Sequence, residues 1–319
     1  MKSLIITLLI TVLFISLQSC DDSFNPKGEF QEGYTLYCIL DGNTSHQEAY
    51  LFKNYDPEGF DAVSYNKDRT VPNAVIKIFD GNTEYVFKDT SEFKESLGYT
   101  VNYYKLDNFK TNYSSKSLII NAETADGKKL AGATQFDIKS IIFSASTKRE
   151  LKYDTFDSLR VFFGNYDSFQ FIPFLFLNYR IVENGDTSYF QKEIPTGYIT
   201  EGEKRIPIYP EYKLRNYFRY SIEDIAYEIE QIAKQRNPGD KMKMLNLTLG
   251  VLQVTNPLDI YYQTYKSISD GFSIKTQEQN ISNITNADGI FAYKQITSVN
   301  ILFRREWNNF FSNIALEQL

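Results

Sequence analysis

The chain has 319 residues, 42% hydrophobic and 16% aromatic, with 24 Tyr, 25 Phe, two Cys, a single His and a formal net charge of −6. An acidic chain without a long Lys/Arg run excludes binding to nucleic acid or anionic lipid by charge. One histidine and two cysteines exclude a zinc centre of the usual His/Cys composition.

The chain opens with Met1-Lys2-Ser3 and an apolar tract from Leu4 to Leu17, the layout of an export signal. The tract is shorter than the roughly 20 residues that a membrane-spanning helix needs. Leu17-Gln18-Ser19-Cys20 resembles the lipobox of bacterial lipoproteins. That resemblance implies a lipoprotein signal peptide at 1–19 and Cys20 as the acylated first residue of the mature chain. Loss of Lys2 with the signal takes the net charge to −7. Acyl burial contributes about 0.8 kcal/mol per methylene, so two or three chains on Cys20 give stable attachment. Asp21-Asp22 resembles both the acidic label that retains lipoproteins at the inner membrane in some bacteria and the one that directs Bacteroidota lipoproteins to the outer face of the outer membrane, and the family resemblance given below favours the second.

Residues 20–33, polar and containing Pro26 and Gly28, read as a lipidated tether. The stretch from Asp21 to Gln31 reaches at most about 36 Å at about 3.3 Å per residue. From Tyr34 the pattern becomes β. "YTLYCIL" places Tyr34, Leu36, Cys38 and Leu40 on one face of a strand, so Cys38 is expected to be a small buried residue. "AVIKIFDGNTEYVFK" predicts a hairpin turning at Asp80-Gly81-Asn82, "LGYTVNYYKL" a strand, and "LIINAETADGKKLAGATQF" a second hairpin turning at Asp126-Gly127. About seven short strands make 34–138 an antiparallel, Ig-like β-sandwich.

Residues 139–319 read as a second β-rich domain. "FQFIPFLFLNYR" is apolar on both faces, which predicts a strand covered on both sides or bulged at Pro173. "LNLTLGVLQV" keeps Leu245, Leu247, Leu249 and Val251 in phase. A helix near 221–235 is signalled by Ser221 as N-cap, Asp224 three residues on, and Ile222, Ile225, Ile229 and Ile232 at helical spacing. Asn237-Pro238-Gly239 stops it. A shorter amphipathic stretch surrounds Trp307, Phe310, Phe311 and Ile314. The expected fold is therefore mainly β: two sandwich-like modules, the second with one or two helices packed on it.

Nucleophile, nucleotide and metalloprotease motifs are absent, and His46 in a polar loop is the sole imidazole. The sequence assigns no catalytic, cofactor or metal residue, and the chain reads as a binding protein and not an enzyme. An acid-pair glycosidase, which leaves no sequence trace, demands two close carboxylates in one cleft. The aromatic excess suits sugar stacking or a sticky interface as well as sheet cores. Tyr209, Tyr212, Tyr217 and Tyr220 form the cluster in which exposed rings are expected.

Val71, Asn73, Ala74 and Val75 leading to Asp80-Gly81, with Asn283, Ile284, Asn286, Gly289, Ile290 and Phe291, resemble motifs of an uncharacterised Bacteroidota outer-membrane lipoprotein family. The resemblance implies a transthyretin-like, carboxypeptidase-regulatory-like first module and a lipid-anchored place in the outer membrane. It further implies work as an accessory subunit of a TonB-dependent transporter. The alternative reading is a surface glycan-binding lipoprotein.

Overall fold

The computed structural model describes residues 30, 32–56, 68–95, 98–112, 114–136, 142–144, 147, 149–164, 171–202, 204–209, 217–268 and 281–319. The signal at 1–19, Cys20, Asp21-Asp22, most of the 20–33 tether and the 138/139 boundary lie outside the described residues.

The chain begins with β1 (Tyr34–Asp41), β2 (Gln47–Lys53), β3 (Val75–Asp80), β4 (Thr83–Val86), β5 (Lys88–Lys94), β6 (Tyr99–Leu106), β7 (Ser117–Glu123) and β8 (Lys129–Gln135). It continues through β9 (Ile142–Phe143), β10 (Glu150–Leu151), β11 (Ser158–Gly164), β12 (Phe171–Glu183), β13 (Asp186–Glu193), β14 (Gly197–Glu201), β15 (Lys204–Ile208) and β16 (Tyr217–Ser221). Helix α1 (Ile222–Lys234), β17 (Lys241–Val254), helix α2 (Asn256–Ile268), β18 (Ile284–Thr285), β19 (Asp288–Phe303) and helix α3 (Trp307–Asn313) complete it. The fold is mainly β, as expected.

Two sheets form the first sandwich. One carries β19, β1, β2, β6 and β5, and the other runs β18-β8-β7-β3-β4. Strict alternation of buried and exposed residues along β7 and β8 turns one side of each inward. Between the sheets lie Leu36, Cys38 and Leu40 of β1 with Ile76 and Ile78 of β3 and Leu118 and Ile120 of β7. Cys38 is a buried core residue, and burial pushes its thiol pKa up, as suits an inert side chain. Three members of this core come from the far end of the chain: Ile284, Phe291 and Tyr293.

β19 is the strand that joins the two halves. Its first part, Asp288 to Lys294, pairs in parallel with β1, and its second part, Lys294 to Ile301, pairs antiparallel with β17. Gly289 permits the first pairing. It has φ +126°, and a Cβ there would stand 2.0 Å from the Leu36 carbonyl oxygen. Asn283 reinforces the same corner by imitating a strand: its side chain accepts from the Phe291 amide at 2.8 Å and donates to the carbonyls of Phe291 at 2.8 Å and Ala133 at 2.9 Å. Where β1 ends, Asn43 bonds both the amide and the carbonyl of Ile296, at 2.6 and 2.7 Å.

The second core is built from the inward faces of β12, β17 and the end of β19, covered by α1 and α3. Helix α1 starts and packs as its sequence predicts: the Ser221 side chain accepts from the Asp224 amide, and Ile222, Ile225, Ile229 and Ile232 are buried. In α3, Trp307 is buried and its indole donates to the Leu151 carbonyl at 3.0 Å.

Three local expectations are corrected. β12 has no register break at Pro173, which pairs with Val251; the shift lies between Asn178 and Tyr179. Pro173 is tolerated because β13 covers β12 only from Phe176 onward, leaving Pro173 without a strand on that side. Opposite the shift, Leu245 drops out of phase and is only half-buried, while Met242 and Met244 take the inward positions. Helix α2 was not expected at all.

Candidate functional site

A cleft of about 460 Å³ opens at one end of the first sandwich, lined among others by Tyr34, Lys53, Asn54, Tyr55, Asp68, Arg69, Asn73 and Asp126. Four pieces of chain meet there: the start of β1, the end of β2, the 68–74 segment, and the β7–β8 turn.

The 68–74 segment is held at several points, and each follows from local chemistry. Asp68 closes an Asx turn by accepting from the Thr70 amide at 2.9 Å and hydroxyl at 2.7 Å, and Asn102 of β6 donates to its other oxygen at 2.6 Å. The backbone of Arg69 and Val71 bonds Lys53 and Leu51, at 2.8 and 3.0 Å. At the Pro72-Asn73 turn Asn73 has φ +59°, a conformation Asn tolerates, and its amide donates to Asp89 at 2.7 Å. The Tyr104 hydroxyl pins both ends of that turn, donating to the Val71 carbonyl at 2.5 Å and accepting from the Ala74 amide at 2.9 Å. One rim of the cleft is therefore rigid without belonging to a sheet.

Aromatic residues lead into it. Tyr103, Tyr50 and Phe52 sit side by side on the sheet face away from the core, with ring centroids 5.9 and 6.2 Å apart at small interplanar angles. The Arg69 guanidinium lies 5.4 Å from the Phe52 centroid and 4.7 Å from that of Tyr55. From the buried Tyr103, the half-buried Tyr50 and Phe52 rings and the Arg69 guanidinium thus form a track to Tyr55 at the cleft wall.

Both cleft carboxylates are acceptors. Bonds from Thr124 and Tyr34 hold Asp126 below the usual carboxylate range, the Tyr34 bond being 2.8 Å. Partial burial pushes Asp68 up, but the bonds from Thr70 and Asn102 outweigh it and its pKa is also lowered. A glycosidase needs one carboxyl raised so that it delivers a proton. These two sit on the wrong side for that role and suit hydrogen-bond acceptance.

At Gly33, next to the cleft, a Cβ would stand 2.9 Å from the side-chain nitrogen of Asn54. A second cavity of about 390 Å³, between Asn256, Pro257, Ile260 and residues 281–283, has no ionisable residue in its lining.

The sequence-predicted positions are scattered. His46 is exposed and bonded to Asp107, outside the linings of the two cavities described. Of the tyrosine cluster, Tyr209 is exposed whereas Tyr220 is fully buried in the second core, so these two share no surface. Tyr212 and the Tyr217 side chain lie outside the described residues, as does Cys20. Arg69, Tyr55 and Lys53 had not been singled out; Asp68-x-Thr70 and Pro72-Asn73 are the turn signals that point to them. Among the described residues no group of three His, Cys, Asp or Glu is placed to hold a metal ion. No protein-family model matches the chain, and no curated protein matches it significantly.

Proposed function

We propose that the chain is a lipid-anchored protein of the outer membrane that acts by binding, as an accessory subunit of a TonB-dependent transport system. The observation that carries the binding reading is the cleft beside Tyr34, the residue at which the 20–33 tether meets β1. A rigid, polar and aromatic-walled opening at the anchored end holds a ligand near the bilayer. The lipobox-like Leu17-Gln18-Ser19-Cys20 supports the anchor, and the Val71–Asp80 and Asn283–Phe291 motifs support the transporter association by resemblance.

Metabolic labelling with a palmitate analogue tests the anchor: label is expected in the native chain and lost in Cys20→Ala. Cross-linking in intact envelopes followed by purification tests the partner. Recovery of a β-barrel transporter is the expected result, and a chain recovered alone in its native envelope would refute the accessory role.

A further inference from the structure

From the cleft lining we infer that it is a binding site for a neutral saccharide, stacked against Tyr55 and Arg69 and hydrogen-bonded by Asp68, Asn54 and Asn73. This rests on the binding reading above and names the ligand class for the same cleft.

The lining carries Lys53 and Arg69 against Asp68 and Asp126. Lys53 is itself paired with Glu32 beside the cleft, so the groups at the site carry no excess of positive charge and do not favour an anionic ligand. Sugar hydroxyls both donate and accept, and the lining offers both kinds of partner at fixed positions. Asp126 is already bonded by Tyr34, Thr124 and the Asp126 and Lys128 amides, whereas Asp68 accepts three bonds, from the Thr70 amide and hydroxyl and from Asn102, so that of about four lone-pair sites Asp68 keeps one for a ligand. Asn54 accepts from Thr35 through Oδ1 at 3.0 Å, which fixes its NH₂ as a donor. Lys53, whose ammonium is paired with Glu32, lies beside it.

The apolar part of the lining consists of the half-buried Tyr55 with Val71, Pro72 and Ala125, beside the buried Tyr34. The Tyr55 ring and Arg69 guanidinium, framed by the Asp68 acceptor and amide donors, match the C–H face and hydroxyl edge of a pyranose. The half-buried Phe52 and Tyr50 rings beyond Arg69 extend the platform and make room for more than one sugar unit.

The experiment uses the full chain purified from membranes in detergent. Calorimetric titrations would be run with neutral xylan, mannan, glucan and chitin oligosaccharides, and with oligogalacturonate as the anionic arm. At least one neutral oligosaccharide is expected to bind at millimolar or lower concentration. About a tenfold loss of affinity is expected in Arg69→Ala and in Tyr55→Leu, with no change in Tyr189→Ala, an exposed ring on β13. Thermal unfolding of each variant controls for folding, and Arg69, being exposed, is the variant least dependent on packing. Absence of binding to every neutral oligosaccharide, tighter binding of oligogalacturonate, or unchanged affinity in both cleft variants overturns the assignment. Cross-linked recovery of Arg69→Ala with a transporter separates the two ideas: partner retained and sugar binding absent leaves the accessory role standing and removes the saccharide.

Discussion

Single residues set the cleft and the corner of the fold. Tyr104→Phe deletes one hydroxyl that serves two backbone groups of the 71–74 turn; a loss of about 1–3 kcal/mol is expected in urea unfolding, with the 68–74 amides exchanging faster. Gly289→Ala is harsher, because a Cβ meets the Leu36 backbone and φ +126° strains any side chain; a loss of about 3 kcal/mol or outright failure to fold is expected. Titration separates two kinds of acid. Asp68 and Asp126 have folded pKa values below their unfolded values, so their contribution is present above the ordinary carboxylate pKa of about 3.9 and disappears as pH falls through the folded values. Glu193 is shifted upward by burial despite Lys192 nearby, so its contribution is favourable only in acid and is lost as pH rises through the folded pKa. Glu193→Gln should therefore raise the thermal midpoint at pH 7 and leave it nearly unchanged below about pH 4, whereas Asp68→Asn should lower it at pH 7 and lose its effect in strong acid.

At the level of elements, the β14–β15 hairpin shows how a two-stranded ribbon is steadied. Such a ribbon is marginal alone. Here Arg205 pairs with Asp224 of α1 at 2.9 Å and stacks over Tyr198 and Tyr227 at 4.5 and 4.2 Å, while Tyr198 donates to Glu228. Ile199, Ile206 and Ile208 alternate onto the other side and stay exposed. Arg205→Ala is expected to speed hydrogen exchange across 197–208 while costing about 1 kcal/mol or less of global stability, since the ion pair is partly solvated. Elements with period and cap in agreement were legible in the sequence: α1, the β3–β4 and β7–β8 hairpins, and β6. Helix α2 was not, because Ile260, Tyr261 and Tyr262 favour strands and Asn256-Pro257 reads as a turn. The missed signal was Pro257 in the first helical turn with Asp259 just after it. The inward slip from Leu245 to Met244 was illegible for another reason: a bulge moves phase without changing composition.

Over the whole molecule, local pattern revealed two β-rich parts but not their partnership. No periodicity announces that Phe291 and Tyr293 fill the core of a sandwich begun at Tyr34, because pairing at long range is encoded only in shape. The same limit hid the cleft, whose walls come from residues 34 to 126. The fragment 34–136 is therefore expected to lack cooperative unfolding in circular dichroism, and a chain ending at residue 280 should lose the native tertiary signal of both parts. A sharp transition in the isolated fragment would contradict this. The parallel pairing of β1 with β19 also orders events in time. A ribosome or an export channel delivers β1 long before β19, so β1, which finds its antiparallel partner β2 at once, waits through most of the chain for its parallel one. If the apolar start of the chain acts as an export signal, that delay keeps the protein threadable until its last forty or so residues have crossed, and the fold locks only on the far side.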